Sequence, residues 1–283
     1  MYAITGATGH LGRLALEALL DTTNPTQVVA LARDPAKLAD LAARGVEVRR
    51  FDYDAPQTLT PALAGIERLL LISSSEVGKR APQHQAVIDA AKAAGVGFIA
   101  YTSILHADTS PMGLAAEHRA TEAALKESGL THALLRNGWY TENYVQSAPA
   151  ALEHGALLGA AGEGKISGAS RADYAAAAAK VLTGEATSKT YELAGDEAFT
   201  LAQFAQALSE IAGKPVVYKD LPEADYAAAL KGAGLPAPVA EMLAESDAKA
   251  AKGSLFDDGR VLSGLIGRPT TPFKETLAAG LNR

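Results

Sequence analysis

Close to its N-terminus the chain reads Ile4-Thr5-Gly6-Ala7-Thr8-Gly9-His10-Leu11-Gly12, between an apolar run and a segment rich in Ala and Leu. In a turn from a strand to a helix, Gly6 permits the tight turn, Gly9 lets the backbone approach a pyrophosphate, and Gly12 allows close packing of helix on strand. Amides at the start of the helix then face the phosphates. The pattern predicts a dinucleotide-binding turn over residues 6–12; the alternative is an ordinary strand-to-helix turn.

Beyond this turn, short apolar runs alternate with segments that carry Ala and Leu at helical spacing. The runs are Tyr2 to Thr5, Val28 to Ala32, Val46 to Phe51, Leu69 to Ile72, Phe98 to Thr102 and Thr131 to Leu135. Intervening helices return the chain to the same edge of a sheet, so the strands are predicted to be parallel. The fold class is therefore α/β, a Rossmann-like doubly wound parallel sheet.

The regular alternation weakens after Asn137. A glycine-rich stretch from Gly155 to Gly168 precedes an Ala-rich helix at Ala172 to Leu182 and a strand at Thr190 to Leu193, and the remainder is predicted to be mainly helical. Such a tail commonly shapes the substrate pocket of a doubly wound enzyme. We expect an NADP-binding domain over residues 1–136 and a smaller substrate or lid lobe over residues 137–283, partly interleaved with the first.

Composition limits the chemistry. The chain of 283 residues has no cysteine, which removes disulfides and thiolate nucleophiles, and no metal site is predicted. A net charge of -6 without a basic block argues against nucleic-acid binding. The sequence contains no run of roughly 18 apolar residues, so no membrane span is predicted. The start of the chain lacks the features of a signal peptide, so we expect a cytoplasmic protein; the oligomeric state is left open.

The end of the second predicted strand bears on the choice of cofactor. NAD-binding proteins place an acidic residue there, about twenty residues beyond the glycine turn, to hold the ribose hydroxyls. This chain has Arg33. A guanidinium suits the 2′-phosphate of NADPH, so NADPH is the predicted cofactor. The alternative is a solvated arginine that caps the strand or pairs with Asp34, which leaves room for NADH.

Three serines, Ser73, Ser74 and Ser75, follow the fourth predicted strand. Their small hydroxyls can hydrogen-bond the cofactor ribose without filling the cleft, and we assign them to the predicted cofactor site. The alternative is that they cap the helix that follows.

Further motifs are spread along the chain. They read Gly6-Ala7-Thr8-Gly9, Arg33, Leu71 to Glu76, Arg80 to His84, Tyr101-Thr102-Ser103, Leu105 to Pro111, Arg136 to Asn143 and Leu255 to Asp258. Together they resemble the motifs of the NmrA-like atypical short-chain dehydrogenases, over essentially the whole chain. The resemblance implies that the segment Gly138-Trp139-Tyr140-Thr141-Glu142-Asn143 wraps the nicotinamide end of the cofactor and that Arg171 approaches the cofactor from the second lobe.

The aromatic residues beyond the sixth predicted strand have two possible roles. Trp139, Tyr140 and Tyr144 can form the wall of a pocket for a flat aromatic substrate, or they can pack in the core.

The usual proton-donating pair of short-chain dehydrogenases is missing. Ser103 occupies the position of their serine, but no tyrosine in this chain is followed four residues later by a lysine. Reduction of an ordinary ketone would therefore lack an acid of matched pKa. A quinone avoids this difficulty, because hydride addition gives a delocalised oxyanion and the final protons can come from water.

Candidate catalytic groups remain. His118 and Tyr140 are kept as such candidates, and His118 with Glu122 can form a local acid pair on one helix, or merely a solvated surface contact. His84 and His106 can polarise a carbonyl or serve in structural hydrogen bonds.

Three functions compete. The first is NADPH-dependent two-electron reduction of a quinone by direct hydride transfer. The second is an NmrA-type redox sensor that binds the dinucleotide without turning it over. The third is a sugar-nucleotide epimerase, which is disfavoured because it needs the missing tyrosine and lysine.

Overall fold

The computed structural model describes residues 1–281, which form two compact units. Unit 1 consists of Met1–Ala107, Ala116–Asn137 and Arg171–Tyr191. Unit 2 consists of Asp108–Ala115, Gly138–Ser170 and the described residues from Glu192 onward. The boundary expected after residue 136 falls beside one junction of the two units, and the chain returns to unit 1 at Arg171.

A seven-stranded sheet confirms the Rossmann-like, doubly wound prediction. Its strands are β1 (Tyr2–Ile4), β2 (Val28–Ala32), β3 (Glu47–Arg50), β4 (Arg68–Leu71), β5 (Phe98–Ile104), β6 (Thr131–Asn137) and β8 (Lys189–Leu193). They lie in the order β3-β2-β1-β4-β5-β6-β8. Neighbouring strands from β1 to β6 are parallel.

The order of the strands creates a crevice. The sequence of strands runs outward from β1 through β2 to β3, then restarts at β4 on the other side of β1. The loops after β1 and β4 therefore lead away in opposite directions, and this switch point is where doubly wound folds bind ligands. Every residue of β2 and β5 is buried, which matches strands covered by helices on both faces.

Helices account for most of the remaining chain. In order they are α1 (His10–Leu20), α2 (Ala39–Ala43), α3 (Leu59–Ala62), α4 (Arg80–Ala94), α5 (Gly113–Ser128), α6 (Thr141–Val145), α7 (Ala148–His154), α8 (Arg171–Thr183), α9 (Leu201–Ala212), α10 (Glu223–Gly232), α11 (Ala237–Ala250), α12 (Val261–Ile266) and α13 (Phe273–Leu281). In unit 1, α8 packs against α1. Across residues 1–281, none of these helices has both the length and the apolar character that a membrane crossing requires.

Unit 2 contains a small sheet that the sequence analysis missed. Strands β7 (Ala156–Gly159) and β9 (Val217–Asp220) pair in parallel. The first lies in the glycine-rich stretch, and both are four residues long, too short to show alternation. Their pairing joins parts of the chain about sixty residues apart, so it is a tertiary contact that no local pattern reports.

Candidate active site

The glycine turn has the geometry that its sequence predicts. Gly6 adopts a φ of +60°, a left-handed conformation that favours glycine. A Cβ at Gly12 would lie 2.2 Å from the carbonyl oxygen of Gly6, so only glycine allows α1 to pack this close. Gly9 is the N-cap residue of α1, no side chain caps that end, and Thr8, Gly9 and His10 are exposed. These features fit a pyrophosphate held by the backbone at the start of the helix.

Two residues that the sequence analysis did not single out anchor this turn. The hydroxyl oxygen of Tyr53 lies 2.8 Å from Oγ1 of Thr5 and 2.9 Å from the carbonyl oxygen of Ile72. The backbone N–H of Ile72 donates to Oγ1 of Thr5 over 2.8 Å. Burial raises the pKa of Tyr53, which keeps its phenol protonated. Thr5 was visible within the motif, whereas nothing around Tyr53 in the sequence indicated its role.

Arg33 directly follows β2, and its side chain is 71% exposed. Its Nη1 lies 3.8 Å from Oε1 of Glu76, which belongs to the segment after β4. Asp34 instead accepts a hydrogen bond from the backbone N–H of Ala36, at 3.2 Å. The ion pair of Arg33 is thus made with Glu76 and not with the neighbouring Asp34, and its guanidinium faces solvent at the carboxyl edge of the sheet.

The three serines belong to a loop and do not cap the helix that follows. Helix α4 has Lys79 at its N-cap position, with no side-chain hydrogen bond there, so the capping interpretation is wrong. Oγ of Ser74 accepts from the backbone N–H of Glu76 at 3.1 Å. The backbone N–H of Ser73 donates to Oγ1 of Thr102 at 2.9 Å, which ties the loop to β5.

His84 is buried and holds the same loop through a defined tautomer. The backbone N–H of Ser74 donates to Nε2 of His84 over 2.9 Å, so Nε2 carries no proton. The proton is therefore on Nδ1, which donates to Oγ1 of Thr121 at 2.9 Å. Burial, with Arg80 nearby, lowers the pKa of His84 to about 4, and the ring is neutral at physiological pH. His84 thus serves as a structural hydrogen-bonding residue.

His118 lies deeper than a surface pair would allow. It is 6% exposed, and its Nδ1 lies 2.8 Å from the hydroxyl oxygen of Tyr101. Burial, together with Arg80 and His84, lowers the pKa of His118 to about 3. The suggested pairing of His118 with Glu122 is wrong, because each residue has a different partner.

Glu122 forms a buried cluster with Arg136 and Ser103. The carboxylate accepts from Nε of Arg136 at 3.0 Å and from Nη2 at 2.7 Å, and the two side chains are only about a tenth exposed. Oγ of Ser103 donates to Oε1 of Glu122 at 2.6 Å. The hydroxyl at the position of the usual catalytic serine is therefore engaged with a carboxylate.

In unit 2, the segment from Gly138 to Asn143 is fixed by backbone hydrogen bonds. The N–H of Ala169 donates to the carbonyl of Trp139 at 3.1 Å, and the N–H of Thr141 donates to the carbonyl of Ala169 at 3.0 Å. Trp139 is buried and Tyr140 is half-buried. Tyr140 thus retains an exposed portion that Trp139 lacks.

Tyr144 packs in the core of unit 2 and forms no pocket wall. Its ring contacts Phe199 and Phe204, and its hydroxyl donates to Oδ1 of Asp247 at 3.0 Å. Asp247 is 3% exposed and also accepts from the backbone N–H of Ala160 at 3.2 Å. Burial raises the pKa of Asp247 to about 6. This polar pair was not recognised in the sequence, where Asp247 is one acid among many in a helical pattern.

The buried side-chain oxygens that have no hydrogen-bond partner within residues 1–281 include two atoms at or beside the segment from Gly138 to Asn143. One is Oδ1 of Asn137, at the carboxyl end of β6 in unit 1, and the other is Oγ1 of Thr141 in unit 2. Buried polar atoms are normally paired, so such atoms suit contact with a ligand. Asn137 was not among the predicted site residues, although it precedes the predicted segment directly.

Two further residues singled out in the sequence are Arg171 and His106. Arg171 begins α8 and groups with unit 1, although it was expected in the second lobe. His106 is half-buried and has a left-handed backbone with φ of +52°.

The family is shown by comparison with known proteins. A family model described as NAD(P)H-binding matches residues 6–185, from the glycine turn to the region after α8. The chain therefore belongs to this NAD(P)H-binding family.

Individual relatives with a high similarity to the chain are oxidoreductases. The chain is 61% identical to quinone oxidoreductase 2 of Escherichia coli over 279 residues, 98% of each chain. The crystal structure of an NADPH-dependent quinone oxidoreductase from Escherichia coli, complexed with NADPH, matches with a TM-score of 0.97 and 60% identity and covers 100% of both chains. An NmrA-like family domain-containing oxidoreductase of Aspergillus flavus is 33% identical over 226 residues, 76% of this chain and 72% of its own length. The resemblance inferred from the motifs is confirmed.

Proposed function

We propose that this protein is an NADPH-dependent quinone oxidoreductase that transfers two electrons as a hydride directly from the nicotinamide. The observation that carries the proposal is the full-length similarity to the Escherichia coli quinone oxidoreductase whose structure contains NADPH, at 60% identity. The exposed Arg33 beside the glycine turn supports NADPH over NADH, because its guanidinium suits a 2′-phosphate.

The proposed cofactor contacts follow from the local geometry. The backbone of residues 6–12 (Gly6, Ala7, Thr8, Gly9, His10, Leu11, Gly12) holds the pyrophosphate, Arg33 binds the 2′-phosphate, and the loop with Ser73, Ser74 and Ser75 lies at the ribose. By resemblance to the family, the segment from Gly138 to Asn143 (Gly138, Trp139, Tyr140, Thr141, Glu142, Asn143) contacts the nicotinamide end, and Arg171 contacts the cofactor. When bound, NADPH supplies the hydride.

The polar groups of unit 1 favour an acceptor that needs no strong protein acid. Ser103 donates its hydrogen bond to Glu122, and the low pKa of His118 leaves too little imidazolium at neutral pH to act as a general acid. A quinone takes up one hydride and one proton to become a hydroquinone, and water can supply that proton after hydride transfer. In this proposal His118 acts at most as a neutral hydrogen-bonding group, and Tyr140 contacts the flat acceptor through its exposed portion.

Steady-state kinetics with purified protein test the proposal. The loss of NADPH absorbance is followed with benzoquinone and naphthoquinone acceptors, NADH is run in parallel, and the uncatalysed background is subtracted. Saturable turnover that prefers NADPH is expected. Tight binding of NADPH with no turnover would contradict the proposed quinone reduction and favour the redox-sensor alternative.

A matched pair of variants tests the role of Arg33. Arg33→Ala is expected to raise the KM for NADPH about 10-fold or more, since a charged hydrogen bond contributes about 1.5 to 3 kcal/mol, and to change the KM for NADH little. Arg44→Ala is the matched variant and removes another exposed arginine, which pairs with Glu17 and follows α2, away from the carboxyl edge of the sheet. Equal losses for NADPH and NADH in Arg33→Ala would contradict the 2′-phosphate assignment.

A further inference from the structure

The ion pair between Arg33 and Glu76 reaches across the opening of the glycine turn. Arg33 follows β2, Glu76 lies in the segment after β4, and β1 runs between those two strands. Neighbouring strands are about 4.8 Å apart, so the pair spans the carboxyl end of β1, where the glycine turn begins. A nucleotide seated on the turn therefore lies close to this pair.

The fold holds Glu76 in this position. At the start of its loop, Oγ of Ser74 accepts from the backbone N–H of Glu76 at 3.1 Å. At the end of the loop, the backbone N–H groups of Gly78 and Arg80 donate to Oε1 of Glu117, at 3.0 and 3.2 Å. A loop secured at both ends keeps the carboxylate of Glu76 beside Arg33.

Glu76 has a second cationic partner. Nζ of Lys79 lies 3.0 Å from Oε2 of Glu76. Two cations thus share one carboxylate, and both cationic side chains are largely exposed. Exposed pairs of this kind are weak, whereas a phosphate offers a guanidinium shorter and stronger charge-assisted hydrogen bonds.

We infer that Glu76 is a specificity-determining residue of the cofactor site: it is the counter-ion of Arg33 in the free protein, the 2′-phosphate of NADPH displaces it, and Lys79 keeps it paired afterwards. The inference rests on the proposed function, in which Arg33 binds this phosphate. NADH has a hydroxyl in place of the 2′-phosphate, so it brings no anion to Arg33 and leaves the pair with Glu76 as before. The displaced carboxylate still repels the nearby phosphate, so Glu76 weakens NADPH binding and Lys79 offsets part of that repulsion.

Two nucleotides without a nicotinamide isolate the effect of the phosphate. Wild type, Glu76→Gln and Lys79→Gln are titrated by calorimetry with adenosine 2′,5′-bisphosphate and with 5′-AMP, at low and at high salt. Glu76→Gln is expected to bind the bisphosphate about 2- to 5-fold tighter and Lys79→Gln about 2- to 5-fold weaker, as for one exposed charge interaction. Binding of 5′-AMP should stay unchanged, and high salt should reduce both differences.

Glu210→Gln is the matched control, because it removes an exposed carboxylate that pairs with Lys274 in unit 2, and it should bind both nucleotides as wild type does. Unchanged bisphosphate affinity in Glu76→Gln, or an equal gain for 5′-AMP, would overturn the inference. Unchanged affinity in Lys79→Gln would remove Lys79 from it. Lack of quinone turnover would overturn the proposed function and leave these titrations valid. An Arg33→Ala variant that bound the bisphosphate as tightly as wild type would refute the assignment of Arg33 to the 2′-phosphate, on which the inference rests.

Discussion

Unit 1 and unit 2 both bury ionisable side chains, but acid acts on them in opposite directions. In unit 1, burial lowers the pKa of His84 to about 4 and that of His118 to about 3. In unit 2, burial raises the pKa of Asp247 to about 6. Each shift has the same physical origin, because an apolar interior disfavours the charged form of any group. Acid charges a histidine and neutralises an aspartate, so it opposes the fold in unit 1 and favours it in unit 2.

Unit 1 also contains a buried pair in which both partners are charged. Glu122 and Arg136 are joined by two hydrogen bonds, whereas the hydrogen bonds to Asp247 come from a phenol and a backbone amide. Removing the charge of one partner should therefore have unequal costs in the two units. The predictions below test this difference, from the largest expected effect to the smallest.

Glu122→Gln should lower the free energy of unfolding by about 3 kcal/mol or more, because it removes the charge of the carboxylate that pairs with the buried guanidinium of Arg136. Chemical denaturation at pH 7 measures the loss. The double variant Glu122→Gln/Arg136→Met should regain part of it, since the buried guanidinium that lost this carboxylate is then gone as well. A loss below about 1 kcal/mol would mean that solvent screens this pair as it does a surface pair.

His118→Asn should weaken the loss of stability in acid. The unfolded chain takes up a proton near pH 6.5, whereas folded His118 does so only near pH 3, so stability falls as the pH drops below about 6.5. Between pH 7 and pH 5 this residue is expected to account for about 2 kcal/mol of the loss. Unfolding free energies of both proteins across this range give the difference. Parallel curves would show that folding does not lower the pKa of His118, as for an exposed histidine.

Asp247→Asn should have the opposite and smaller effect. The folded pKa of about 6 lies above the unfolded value of 3.8, so this residue contributes stability that is fully present below about pH 4 and is lost as the pH rises through about 6. Wild type therefore gains about 1 kcal/mol from Asp247 when the pH falls from 7 to 5, and the variant does not. The same denaturation series should show a steeper acid loss in the variant. A shallower one would contradict the raised pKa.

Ser103→Ala should change turnover least. Its hydroxyl donates to Glu122 and is part of the structural cluster of unit 1, so kcat with a quinone should stay within about 2-fold of wild type. The loss of one hydrogen bond should lower the unfolding free energy by about 1 kcal/mol. Steady-state kinetics and denaturation, measured on the same preparation, separate the two effects. A collapse of kcat in a stable variant would show that Ser103 contacts the acceptor.

The elements of unit 1 were largely predictable because local rules act on them. The run at Val28 to Ala32 is apolar throughout and that at Phe98 to Thr102 nearly so, as buried parallel strands require, and the structure has strands at both. The glycine turn was predictable for a related reason, since Gly6 and Gly12 each meet a steric demand that few residue types satisfy. Strands β7 and β9 escaped prediction because they are short and also lie outside the regular alternation of apolar runs and helical segments.

The polar contacts of the candidate site were predictable as residue types but not as partners. The sequence placed Arg33 at the end of a strand and serines after another, but the structural alternatives it offered, pairing of Arg33 with Asp34 and helix capping by the serines, were both wrong. The partner of Arg33 proved to be Glu76, 43 positions further along the chain. Likewise, helical spacing brought His118 and Glu122 to one face of α5, while strands β5 and β6 supplied their actual partners, Tyr101 and Arg136.

The sequence by itself therefore determined the doubly wound sheet, the dinucleotide turn and the family, because backbone sterics and hydrophobic periodicity act over a few residues. Tertiary structure alone decided the charge states and partners of the buried groups, since desolvation and hydrogen bonding depend on side chains brought together from distant parts of the chain. The sequence shows neither that the aspartate at position 247 is buried nor that the histidine at position 118 is. Burial raises the pKa of Asp247 to about 6 and lowers that of His118 to about 3.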